Sequence, residues 1–327
     1  MPRLPLPKLL LESLPATPRA YLVGGAVRDL LMQRHPTDVD IAVEGEAATF
    51  AGAIADRLRA RVVQIGKPNQ ATHRVTSRGM LIDITSLAGV SIETDLRRRD
   101  FTVHAMAYDL HAHRLIDILG GQDDITARHI RMVAEQAFVD DPLRLLRAFR
   151  MAATLDFDIA PETLAAIQRH SQRIDQPAGE RVRAELVQLM ACPASARQVQ
   201  TMSDCGLLTC LIPEMQPMQH CRQNTHHDFD VYDHTLKAYA AIEQCLQSTG
   251  RISGALEKRY HQPPYRKTTR AILNYALLLH DIGKPDTRRV DADGEVHFHG
   301  HADRSAHMAE AIHKRLRLSK TECEQAR

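Results

Sequence analysis

Strand-like patterning nearly vanishes from about residue 138, across a soft boundary, and this change constrains the fold more than any other feature. Before it, short β-rich runs alternate with helical stretches. AYLVGG (20–25), VDIAVEG (39–45), RVVQIG (61–66), THRVTS (72–77) and GMLIDITS (79–86) read as strands. VRDLLMQ (27–33) and EAATFAGAIADRLRA (46–60) carry a helical period. After it, only helical patterns follow: 141–155, 161–174, 179–190, 194–206, 233–247, 269–283 and 303–317. The fold class expected is therefore α+β, a small mixed head built on a β-sheet followed by an all-helical body. The division expected is 1–137, 138–215 and 216–327.

Composition removes several classes. No apolar run approaches the roughly 20 residues that a membrane span needs. The first 25 residues carry no small-residue cleavage site, so no signal peptide and a cytoplasmic location are expected. Six cysteines without a CxxC pair indicate neither a zinc ribbon nor a disulfide scaffold. A net charge of +2 permits a polyanionic partner without requiring one. Aromatic content of 4%, with no tryptophan, argues against a binder that stacks many bases. The basic, proline-containing stretch from Arg251 to Lys267 reads as an insertion loop with a solvated surface, with RNA contact as its other use. The last residues, TECEQAR, fall inside a helical pattern, which leaves open a truncated final region.

The chemistry-bearing residues of the head come in order. In VGGAVRD, Gly24 and Gly25 close a strand before a helix, where backbone N–H groups can approach an anion, and Arg28 lies one turn in. In TDVDIAV, Asp38 and Asp40 flank one residue, and strand geometry puts both carboxylates on one face. Two carboxylates so close repel unless a cation sits between them, and Mg²⁺ is the natural hard-cation solution. Asp83 interrupts the apolar strand LIDITS, where an acid needs a metal or a salt bridge. Three such carboxylates suit a two-metal centre, one ion activating a hydroxyl and the other neutralising a leaving group. Arg97, Arg98 and Arg99 gather positive charge around Asp100, as phosphate or ribose binding would use.

In VDDPLRLLRAFR, Arg144, Arg147 and Arg150 recur every three residues, with Asp141 just ahead. A carboxylate beside a guanidinium can read a base edge, accepting from an exocyclic amine and donating to a ring acceptor. Cytosine and adenine both present that pattern. A capped helix with a solvated arginine stripe is the alternative.

GGAVRD, DVDIAV, RRDFT, DDPLRLLRAFR and GERVRAEL, in that order, resemble the class II tRNA nucleotidyltransferases, which include CCA-adding enzymes and bacterial poly(A) polymerases. The resemblance runs continuously from about 20 to 190. It implies that Asp38 and Asp40 hold two Mg²⁺ ions, that Gly25, Arg28 and Arg99 bind triphosphate, and that Asp100 binds ribose. Gly24 and Arg98 join this nucleotide-binding set. It makes Asp141 and Arg144 the amino-acid template for CTP or ATP, with Arg147 and Arg150 nearby and Glu180 and Arg183 in the following helical motif, which positions that template. The chain departs from the family pattern with His104 for the usual Asn and Asp140 for the usual Glu. The regions then become a catalytic head, a helical neck and body carrying template and RNA contacts, and an HD-type domain.

That last region resembles the HD phosphohydrolases through His234, the doublet His280–Asp281, and His299 and His301. His234, His280, Asp281 and His301 are its candidate ligands for a divalent metal. The implied function is untemplated nucleotide addition to the 3′ end of tRNA from CTP or ATP, with release of pyrophosphate. Other outcomes are a poly(A) polymerase and, in a different class, an HD metal phosphohydrolase. Between Asp83 and Arg98 lies only ITSLAGVSIETDLR, shorter than the flexible loop of CCA-adding relatives. The resemblance is therefore nearest the CC-adding branch, with A-adding and full CCA addition as alternatives.

Overall fold

The computed structural model describes residues 8–36, 38–66, 71–77, 79–223, 229–247 and 266–326. The chain divides into two compact units, Met1–Ala137 and Phe138–Arg327. Among the described residues, no helix is long and apolar enough to cross a membrane. The basic stretch 251–265 lies outside the described residues.

The first unit is built on seven strands: β1 (Ala20–Val23), β2 (Asp38–Val43), β3 (Val62–Ile65), β4 (Thr72–Ser77), β5 (Met80–Ser86), β6 (Ala107–Asp109) and β7 (Arg114–Ile116). They form one mixed sheet in the order β3-β4-β5-β2-β1-β6-β7. Only β2 and β5 run parallel; every other neighbouring pair is antiparallel. The alternation along each strand decides the two faces. Leu22, Val39, Ile41, Val43, Ile82 and Ile84 point into one core, closed by Val27 and Leu30 of helix Gly25–Leu31 and by Phe50, Ala51 and Ile54 of helix Ala47–Leu58. Tyr21, Val23, Ala42 and Ala107 point the other way, against Ile92 and Leu96 of helix Ile92–Arg97. By the same parity, Asp38 and Asp40 lie on this second face.

Strands β6 and β7, three residues each, are too short to show a period, and helix Gly121–Ala127 is only two turns long, so the sequence does not announce them. They matter because β6 pairs with β1 and extends the sheet beyond the Gly24 turn.

The second unit is helical. Helix Leu143–Leu155 buries Leu145, Leu146, Phe149 and Ala152 and packs on helix Gly179–Met190. Helix Gly179–Met190 also packs on helix Arg266–Leu279, and Arg266–Leu279 on helix Val231–Gln247. A long helix, His301–Leu316, follows a two-residue ladder joining 289–290 to 296–297.

Candidate functional site

The centre of the first unit is the strand pair β2–β5. Asp40 stands directly opposite Asp83 in the parallel register, and Asp83 stands opposite Arg74 of β4. All four side chains of Asp38, Asp40, Asp83 and Arg74 therefore share one face of the sheet. Asp38 and Asp40 are exposed, whereas Val39 between them is buried. The carboxylates thus cost little desolvation and remain open to a cation or substrate.

Asp83 differs from the other two. Arg74 donates to both its oxygens, Nε at 2.8 Å and Nη2 at 2.7 Å. In this structure Asp83 thus makes a bidentate salt bridge, on the same face as Asp38 and Asp40. The Arg74 guanidinium is raised above its ordinary value first by the bond and charge of Asp83, and further by Asp38 and Asp40. Arg74 therefore sits within electrostatic reach of all three carboxylates, and sequence reading missed it. Its signal is the antiparallel register of THRVTS against LIDITS, which sequence alone does not fix.

Gly24 closes the opposite side. Its φ of 69° and ψ of −136° are conformations open to glycine but strained for other residues. A Cβ there would lie 3.1 Å from Arg99 Nη1 and 3.6 Å from Asp40 Oδ2, so the bare backbone lets a guanidinium and a carboxylate approach one another's neighbourhood. Arg99 is steered by Asp95, one turn earlier, through bonds of 2.8 and 3.1 Å. Arg28 is clamped between Asp29 Oδ1 and His104, and Gly25 lies against its guanidinium. Asp100 accepts from the Phe101 amide at 2.8 Å. The structure thus gathers Gly24, Asp40, Arg99 and, by register, Asp83, while Gly25, Arg28, His104 and Asp100 form an adjoining chain of contacts.

Arg98 does something else. Its Nη1 donates to the Ala88 carbonyl at 2.7 Å, and Asp95 accepts from the Ala88 amide at 3.3 Å. Residues 87–91 are all that separates β5 from helix Ile92–Arg97, and Ser91 caps that helix by accepting from the Thr94 amide. This connection is short and tied down at its middle.

In the second unit, the template candidates have unexpected partners. The helix begins at Leu143, so Asp141 precedes it rather than opening it. One Asp141 oxygen accepts from the Leu143 amide at 3.3 Å, and the other from Arg181 Nη2 at 2.8 Å. Arg150 Nε donates to Glu185 Oε2 at 2.5 Å, both side chains nearly buried. Arg181 and Glu185 are one helical turn apart and share the face turned toward 141–150. Glu180 and Arg183, singled out from sequence, point elsewhere: Glu180 to Arg317, and Arg183 to Glu322 and the Arg317 carbonyl. Arg144 and Arg147 lie on helix Leu143–Leu155, with Arg147 Nε buried.

The histidine motif closes into a cluster. His234, His280 and Asp281 offer ligand atoms within 4.8 Å of one another. His301 joins through Nε2, 3.6 Å from Asp281 Oδ1. His280 and His301 each direct Nδ1 at a backbone carbonyl, Leu277 at 2.7 Å and Phe298 at 2.8 Å. Donation there turns each Nε2 toward Asp281; His280 Nε2, 3.1 Å from Asp281 Oδ2, donates to it, and a bound metal would take the place of that proton. Lys284, unremarked in the sequence, donates to Asp281 at 2.8 Å and to Gln223 at 2.8 Å. Burial would push the Asp281 carboxyl up, but the bonds from His280 and Lys284 outweigh it and hold it down at about 2. Gly283 is needed for this closure: a Cβ would come within 2.5 Å of the Ser305 amide and 2.8 Å of the His301 carbonyl. The donor set fits a divalent transition metal, and the oxygens of Asp38 and Asp40 fit Mg²⁺.

Three family models match the chain. "Poly A polymerase head domain" matches residues 20–131, "Probable RNA and SrmB- binding site of polymerase A" residues 156–219, and "HD domain" residues 231–326. An A-adding tRNA nucleotidyltransferase of Deinococcus radiodurans is 37% identical over 93% of this chain and 66% of its own length. A CC-adding tRNA nucleotidyltransferase of Thermus thermophilus is 33% identical over 93% of this chain and 66% of its own. A multifunctional CCA protein of Azoarcus sp. is 33% identical over 91% of this chain and 69% of its own. The chain thus spans just under two thirds of the length of the first two.

Proposed function

Starting from the fact that the chain belongs to the class II CCA-adding tRNA nucleotidyltransferase family, we propose that it adds cytidylates to the 3′ end of tRNA from CTP, without a nucleic-acid template. One observation carries the reading: Asp38 and Asp40 share the exposed face of β2, beside the Gly24 turn and the Arg99 guanidinium. Mg²⁺ held there would lower the pKa of the attacking 3′-hydroxyl and neutralise charge on the departing pyrophosphate. The other roles belong to the chain's own side chains. Arg28 and Arg99 bind the triphosphate and Asp100 the ribose. Asp141 accepts from the cytosine amine, and Arg144 donates to the ring acceptors. Asp38 and Asp40 would hold the ion, and Asp83, paired with Arg74 in this structure, stands beside them as the third carboxylate. Shape and phosphate contacts of the helical unit hold tRNA, which makes binding fall with rising salt.

Cytidylate specificity is supported by the connection at 87–91. The two bases differ in size, so one Asp–Arg pair reads both only if a mobile element resets it. Here Ala88 is tethered by both Asp95 and Arg98, and the segment offers no slack for such movement. The HD-domain match at 231–326 favours tRNA over a poly(A) product, by resemblance to family members of each kind. The cluster at His234, His280, Asp281 and His301 is read as a divalent-metal site.

The test is incorporation of labelled CTP and ATP, separately, on tRNAs ending at the discriminator base, after one C and after two. CTP should be used on the first two and neither nucleotide on the third. ATP added to the tRNA ending in CC would overturn the cytidylate reading and make this an A-adding or CCA-adding enzyme.

A further inference from the structure

His104 lies between Arg28 and Asp100, and the surroundings of that ring define what it must do. Arg28, Asp100 and His104 are 9%, 7% and 6% exposed. Arg28 Nη1 lies 2.6 Å from His104 Nε2, and His104 Nδ1 lies 3.1 Å from Asp100 Oδ1. A guanidinium has donors only, so Nε2 has to accept from it. A carboxylate is an acceptor, so Nδ1 has to donate. Both constraints are met by one state of the ring: neutral, with its proton on Nδ1. The remaining bonds leave little freedom. Arg28 Nε and Nη2 are held by Asp29, and Asp100 also accepts from the Phe101 amide. The Arg99 guanidinium reaches the His104 carbonyl at 3.4 Å.

An Asn side chain presents the same pair, a carbonyl acceptor and an N–H donor, on one rigid group. Asn is therefore the replacement that preserves the donor–acceptor polarity of this imidazole. We propose that His104 is a positioning residue that ties the triphosphate-binding Arg28 to the ribose-binding Asp100, so that both ends of the nucleotide are received by one preset unit. This rests on the roles given above to Arg28 and Asp100. Removing the ring takes one bond from each of two buried charged groups at once, leaving each held from one side less. Nucleotide binding must then pay to order them again, and the discrimination that depends on Asp100 weakens together with the affinity that depends on Arg28.

The experiment compares wild type, His104→Asn and His104→Ala for CTP and dCTP. Hydrogen bonds to charged groups put the expected rise in KM for CTP in the alanine variant at roughly tenfold to a hundredfold, with kcat changed much less. Its preference for CTP over dCTP should fall in parallel. His104→Asn should keep both within about threefold of wild type. Alanine values within twofold of wild type, or equal losses in both variants, would overturn the proposal. A readout independent of turnover is long-range ¹H–¹⁵N correlation of the histidine rings, with His104 assigned by its absence in His104→Asn. The Nδ1–H tautomer is expected near neutral pH, and an Nε2–H or doubly protonated ring would refute the assignment even if the alanine variant fails to fold. A wild-type protein that neither binds CTP nor transfers it would instead count against the function proposed above.

Discussion

Arg150 can be either a nucleotide contact or a clamp between helices, and the two roles predict opposite results. The structure pairs its Nε with Glu185 Oε2 at 2.5 Å, with side-chain exposures of 14% and 11%. The partners sit on helices Leu143–Leu155 and Gly179–Met190, which pack directly. Replacing Arg150 by Met keeps the aliphatic stem but strands a carboxylate that water scarcely reaches. Breaking a buried pair from one side costs about 3–5 kcal/mol. For a unit spanning Phe138–Arg327, each kcal/mol moves Tm by roughly 2–4 °C. Arg150→Met should therefore lower the second unit's melting temperature by roughly 6–20 °C in calorimetry. Glu185→Leu should do much the same. The double variant should recover most of the loss, because an apolar pair of similar volume replaces a buried ion pair at little net cost. A Tm within about 2 °C of wild type, combined with a raised KM for CTP, would refute the clamp and return Arg150 to the nucleotide.

The other expectations are briefer. Asp40→Ala should abolish nucleotide transfer with Tm unchanged, since the side chain is exposed and makes no contribution to the core; retention of most of the wild-type rate would sink the metal assignment, and chelation of divalent ions should reproduce the loss. Gly24→Ala should cost about 1–3 kcal/mol of stability from its backbone conformation alone and impair transfer more than stability explains, because its methyl crowds Arg99; thermal melts and CTP incorporation are read side by side. Arg181→Ala should free Asp141 and erode the choice of CTP over UTP, a discrimination worth about 1–3 kcal/mol per well-formed pair; competition between labelled CTP and UTP measures it, and an unchanged ratio would show that Arg181 does not position the template.

What was legible in the sequence, and what was not, divides along a physical line. The sheet strands 62–65, 72–77 and 80–86 announce themselves because β-branched residues and turn punctuation repeat over several positions. The pairing of Asp38 with Asp40 on one face follows from strand parity alone, and the His280–Asp281 doublet from its place at a helix end. These are local rules. The partners that decide electrostatics are set instead by register and helix phase, which need the tertiary fold. Arg74 meets Asp83 because β4 runs antiparallel to β5 in one register, and a slip of one residue would turn it to the opposite face. Arg181 and Glu185 meet Asp141 and Arg150 because helix Gly179–Met190 presents that face, whereas Glu180 and Arg183, chosen from the motif, present another. Lys284 enters the histidine cluster from one turn beyond Asp281. Each missed residue is a cation or carboxylate whose partner lies on the same or a neighbouring element, at a position fixed by rotation about the element's axis. Motifs identify which acids and histidines do chemistry, and packing determines which counter-charges hold them in place.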